Sequence, residues 1–129
     1  MLKLTYIENG FNLELLTQAV EDWVSGRVVL AVRAATPIYV EPMTASFLLP
    51  IDVPYLSDLQ ALAQGEMADL LDIVPCDEDC VELCLNGTWI AESPEAEEGV
   101  FVTTMNHRVE FFLFKVWQEA QNLASVVGE

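Results

Sequence analysis

Between Ala34 and His107 the sequence has no lysine or arginine, although fourteen carboxylates fall in the same interval. Five Lys and Arg stand against 21 Asp and Glu in 129 residues, a formal net charge of −16. Charged residues make up only 20%, against roughly 25% in a typical soluble domain. The imbalance is therefore a shortage of cations more than a surplus of anions. Phosphate-backbone and anionic-lipid binding both need clustered basic residues. Lys3, Arg27, Arg33, Arg108 and Lys115 are scattered along the chain, which argues against direct nucleic-acid binding and against a membrane surface as partner.

Other absences narrow the chemistry. The glycines are too dispersed for Gly-x-Gly-x-x-Gly, and neither lysine follows a glycine as a phosphate-binding loop requires. A Gly-x-Ser-x-Gly elbow and a His-Glu-x-x-His zinc helix are also missing. With so few cations, a site for phosphorylated or carboxylated substrates would have to rest on Arg27, Arg33 or Arg108, and each of these serves equally as a counter-ion. No apolar run approaches the ~20 residues that span a bilayer, since Arg33 interrupts Val28–Ala35. Met1-Leu2-Lys3-Leu4-Thr5 lacks the basic-then-apolar pattern of a secretory signal, so a cytoplasmic location is expected.

What is present is a greasy, acidic chain. Hydrophobic residues reach 53% and mean hydropathy is +0.33. At this length a single compact domain over 1–129 can bury its own core without staples. The apolar excess is absorbed either by buried strands or by another copy or partner, so a homo-oligomer is expected. Three readings of the charge compete: solubility, a docking face for a basic partner protein, and salt adaptation.

Asn-Gly occurs twice, at Asn9-Gly10 and Asn86-Gly87. Both are expected to close two-residue hairpins, over 2–16 and 81–92. The first would pair Glu8 with Phe11, Tyr6 with Leu13 and Leu4 with Leu15; the second would pair Leu83 with Ile90. Further strands are expected near 27–34, 38–41 and 100–105 from their β-branched content. Leu15–Val24 reads either as a helix stopped by Gly26 or as a continuation of the strand before it. Ser57-Asp58-Leu59-Gln60 has the form of a capping box opening a helix near 58–74, which Gly65 could split and Pro75 closes. Pro37, Pro42, Pro50 and Pro54 suggest tight turns through the middle. A last helix near 107–127 starts from an Asn106 cap. Its apolar stripe runs through Val109, Phe112, Leu113, Val116, Ala120, Leu123, Ala124 and Val127. The class is α+β, a mostly antiparallel sheet with helices against it.

Candidate chemistry centres on Cys76–Glu82. Cys76, Cys80 and Cys84 are spaced four and four around Asp77-Glu78-Asp79. On a strand the last two sulfurs lie about 13 Å apart, too far to share a metal. Cys76 and Cys80 could meet across a turn as a disulfide or redox pair, although buried thiols are the commoner use of intracellular cysteine. The surrounding carboxylates discourage thiolate formation. Counted as an EF-hand from Asp77, the run puts Glu82 where glycine is required and Thr88 where a bidentate Glu is required. His107 stands at a helix start with no nucleophile beside it, so a structural role is the default. No catalytic residue, metal ligand or cofactor is assigned. The sequence is read as a non-catalytic acidic interaction or regulatory domain, homo-oligomeric, docking a basic partner. The partner would meet Asp72, Asp77, Glu78, Asp79, Glu82, Glu95, Glu97 and Glu98. The alternative is a small metal- or thiol-dependent enzyme or sensor centred on Cys76–Glu82.

Overall fold

A computed structural model of the chain describes residues 1–8 and 10–127, with side chains described as far as Glu119. In chain order the elements are β1 (Leu2–Ile7), β2 (Gly10–Leu15), α1 (Val20–Arg33), β3 (Tyr39–Pro50), α2 (Leu56–Gln64), β4 (Leu71–Pro75), β5 (Cys80–Ala91), β6 (Gly99–Thr103) and α3 (His107–Val127). The strands form one sheet in the order β2-β1-β6-β5-β3, with β4 also pairing with β5. The fold class is α+β, as the composition of elements implied. The chain resolves into two compact units, one of Met1–Ala45 with Asn86–Met105, the other of Ser46–Leu85 with the segment from Asn106 onward.

In the first unit the expected hairpin over 2–16 is present with its register moved by two. Leu2 pairs with Leu15, Leu4 with Leu13 and Tyr6 with Phe11, and Ile7 meets Gly10 at the end. A shift of two leaves every side chain on its own face. It also sets Lys3 opposite Glu14, with Nζ 3.9 Å from the carboxylate, and brings the Tyr6 and Phe11 rings to 6.3 Å. On its other edge β1 pairs antiparallel with β6.

The strand expected at 27–34 is instead the second half of α1. Val20, Trp23 and Val24 recur at helical spacing, Glu21 and Asp22 occupy the first turn, and Arg33 closes the last. Charges of that sign at those ends favour a helix, and packing of Trp23 outweighs the weak β preference of the valines. Gly26 lies inside the helix and does not stop it. Trp23 is buried with Ile90 and Val102, and Met1, Leu16, Val20, Val24, Ile38 and Val100 close around them.

The second Asn-Gly does not turn. β5 runs straight through it, so Leu83 pairs with Ile73 and Ile90 with Val100 rather than with each other. A Cβ on Gly87 would run into the Val102 carbonyl and the Phe101 ring, so this glycine serves close approach between strands rather than a turn. Asn86 is held as strand backbone, its carbonyl accepting from Thr103 Oγ1 at 2.7 Å. The strand foreseen at 38–41 is the start of the longer β3, which ends the sheet path and carries Pro42 and Pro50 within it. Proline is tolerated there because an edge strand has amides to spare.

In the second unit the helix expected over 58–74 divides. α2 stops at Gly65, whose φ of −118° and ψ of −114° fit no helix, and Leu71–Pro75 becomes β4 against β5. Tyr55, not Ser57, precedes the first turn, and it makes no side-chain cap bond; the expected capping box lies inside the helix. Leu56, Leu59 and Leu62 of α2 are buried, as are Met67, Leu71, Val81, Leu83 and Leu85. α3 begins as expected: Asn106 Oδ1 accepts from the Val109 amide at 2.9 Å, which is the N-cap bond. Val109, Leu113 and Val116 are buried. The side chains of Ala120, Leu123, Ala124 and Val127 lie outside the described residues.

Candidate functional site

Helical spacing builds one wall of a cleft in the first unit. Trp23, Arg27, Leu30 and Ala31 fall at i, i+4, i+7 and i+8 on α1, and all four line it. The end of β1 with Glu8 just beyond it, the end of β5 with Glu92 just beyond it, and the segment from Ala96 to Val100 supply the other walls, and Thr36, Pro37 and Ile38 complete them. The cleft holds about 840 Å³, within the roughly 300–1,000 Å³ common for ligand sites.

The floor is apolar. Trp23 is 8% exposed and Ile90 5%. At Gly99 a Cβ would strike the Trp89 ring and the Ile90 carbonyl, so a glycine is needed where β6 begins beside the cleft. The rim is acidic: Glu8, Glu92, Glu97 and Glu98 line the opening, and all are exposed. Among the described residues the one basic side chain in the lining is Arg27, whose guanidinium lies 4.6 Å from the centre of the Trp23 ring. Lys3 Nζ also approaches that ring, at 5.6 Å. Trp23 thus already serves as a cation-accepting aromatic surface. Tyr6 packs edge-on to Trp89 at 5.8 Å, and burial pushes its phenol above the usual range. It therefore stays a neutral donor. Among the described residues the lining contains no His, Cys or Ser; its hydroxyls are those of Thr5, Tyr6 and Thr36.

The sequence had pointed to two groups of acids, and they fall in different units. Glu97 and Glu98 are on the cleft rim, while Glu95 is exposed in the same loop but outside the lining. Glu8 and Glu92 were missed. Only their position at the ends of β1 and β5 makes them rim residues, and that depends on register and on β5 being continuous. Asp72, Asp77, Glu78, Asp79 and Glu82 belong to the second unit. Asp77 is engaged by its own turn, its Oδ1 accepting from the amides of Asp79 at 2.7 Å and Cys80 at 2.9 Å. Asp72 and Glu82 lie on β4 and β5.

Across that turn the backbones of Cys76 and Cys80 pair, the Cys76 amide donating to the Cys80 carbonyl at 3.2 Å. Both thiols are free. Partial burial, the carboxylates of Asp77 and Asp79, and Cys76 itself all push the Cys80 thiol upward. Cys84 is engaged separately, accepting from Ser46 Oγ and donating to Glu82 Oε1, each at 3.5 Å. Among the described residues no three His, Cys, Asp or Glu side chains gather in a way that could hold a metal ion. His107 is fully exposed, 3.6 Å from the buried Glu110 carboxylate one turn along α3. No described helix is long and apolar enough to cross a membrane.

The fold and cleft define an α+β protein with an acid-rimmed, aromatic-floored cavity beside a long helix. The chain belongs to the Alr0857-like family, whose model matches residues 1–121 and so takes in every residue of the cleft. No curated protein and no solved structure matches it.

Proposed function

We propose that this chain is a non-catalytic, self-associating interaction or regulatory domain of the cytoplasm that docks a basic segment of a partner protein. The observation that carries the reading is the cleft of the first unit, where Glu8, Glu92, Glu97 and Glu98 stand over a floor of Trp23 and Ile90. A segment alternating Lys or Arg with aliphatic residues satisfies both parts. Its apolar side chains fill the floor and its cations meet the rim. The chain's own Arg27 already stacks on Trp23, so the incoming cations are left to the carboxylates of the rim. Electrostatic complementarity of this kind speeds encounter and selects partners more than it deepens affinity. Bare nucleic acid, a polyanion, is a poor occupant of the same rim.

The test is a calorimetric titration of the full chain with a short peptide alternating Lys and Leu, alongside its Glu-Leu counterpart. Binding of the basic peptide alone is expected. It should weaken about tenfold or more between low and near-molar salt, where the Debye length falls from ~30 to ~3 Å. Binding indifferent to salt, or equal binding of both peptides, overturns the reading.

One observation favours a second reading, a reversible thiol pair. Cys76 and Cys80 sit opposite each other at the end of the β4–β5 hairpin. Their oxidation by a two-electron acceptor would release two protons and close a disulfide. A Cys76→Ser/Cys80→Ser chain that keeps every redox response of the wild type removes this reading.

A further inference from the structure

The solvent side of α1 has a pattern that its own chain does not use. Asp22, Gly26, Val29 and Arg33 recur at i, i+4, i+7 and i+11 and so form one stripe along the helix. All four are exposed. Val29 is 48% exposed, and Val32 beside it is 73% exposed. A helix with apolar residues on its outer as well as its inner side ordinarily has something packed on both. Gly26 sharpens the point. Glycine inside a helix is unfavourable relative to alanine, yet a Cβ at this position would meet nothing within 4 Å. Among the described residues nothing requires the glycine, which leaves room for a neighbour from outside.

The stripe is complementary to itself. If a second helix is laid antiparallel about a two-fold axis at the middle of the stripe, Asp22 falls opposite Arg33 and Gly26 opposite Val29, twice over. Charge meets opposite charge, and a projecting side chain meets a gap. That is the signature of an isologous interface, in which one patch serves both partners. We infer that two copies of this chain pair through α1, antiparallel, along Asp22, Gly26, Val29 and Arg33. Arg33 is the only cation on that stripe in an otherwise anionic coat, and two copies so arranged each place it against an acid. One helix face is small beside the ~800 Å² per partner of a stable complex, so the pair forms and separates reversibly with concentration. The inference rests on the self-association part of the proposed function and is independent of the docking of a basic segment in the cleft.

Sedimentation velocity on the full chain over a wide concentration range tests it. The wild type is expected to shift from monomer to dimer. Asp22→Lys alone and Arg33→Glu alone should each remain monomeric, since each places like charges together at both ends of the stripe. An equimolar mixture of the two should recover the dimer, because Arg33→Glu in one copy then meets Asp22→Lys in the other while the native pair forms at the far end. Misfolding cannot mimic that rescue. Asp22→Lys also makes the chain less anionic, so any general relief of repulsion would act in the opposite direction. If the wild type is monomeric at every concentration, the self-association reading fails together with this interface. If the wild type dimerises while the single variants dimerise equally well, or while their mixture stays monomeric, only this interface is overturned.

Discussion

Glu92–Glu98 and Asp77–Asp79 look alike as sequence, two short acidic stretches without a cation nearby, yet the chain uses them differently. In the Asp77 turn the carboxylate serves its own backbone, accepting from the amides of Asp79 and Cys80. In the other, Glu92, Glu97 and Glu98 border a cleft whose floor is Trp23 and Ile90. Acid density does not distinguish a site from a solvated turn. What lies beneath the carboxylates does: an apolar cavity in one case, local hydrogen bonds in the other.

The largest expected effect separates the two at their foundations. Trp23→Ala removes the cleft floor and the centre of the first unit's core, and should cost about 3–5 kcal/mol of stability. Urea denaturation measures it, and a loss under 1 kcal/mol would show that the floor is dispensable. Next in size, the triple change Glu92→Gln/Glu97→Gln/Glu98→Gln should weaken binding of the Lys-Leu peptide about tenfold, or ~1.4 kcal/mol, with little change in stability. Asp77→Ala should do the reverse. It gives up two local hydrogen bonds, which together contribute about 1–2 kcal/mol, and leaves peptide affinity unaltered. Equal effects of the two substitutions on binding would erase the distinction drawn here.

The smallest effect is in pH. Burial raises the Tyr6 phenol in the folded chain above its unfolded value. Its contribution is therefore complete below the unfolded pKa near 10 and is lost as pH rises through the higher folded value. Stability should fall above about pH 10 in the wild type, and the fall should be shallower in Tyr6→Phe. An identical decline in both would place the titrating group elsewhere.

Much of the fold was legible in local pattern. The Asn106 cap, the start of the last helix, the α+β class and the presence, though not the register, of the first hairpin all follow from turn chemistry and periodicity. What failed did so for one physical reason: local signals were overridden by partners distant in sequence. Asn86-Gly87 reads as a turn until Phe101 and Val102 require a glycine where β5 passes them. Arg27–Ala34 reads as a strand until Trp23, packed on Ile90 and Val102, commits the segment to a helix. Leu71–Val74 continues a helical period but pairs with β5. The site inherits these limits. Glu97 and Glu98 stood out by composition, whereas Glu8, Glu92 and Arg27 become neighbours only through strand register and the helical state of α1.

The most direct measurement is an NMR titration of the isotope-labelled full chain with the Lys-Leu peptide at low salt, following the three tryptophan indoles. The expected result is a saturable shift of the Trp23 signal, in the cleft floor, with the Trp117 signal on α3 unmoved and the Asp77–Cys80 amides undisturbed. A Trp23 signal that stays in place while the Asp77–Cys80 amides move would contradict the cleft as the docking site and assign the acidic turn to that role instead.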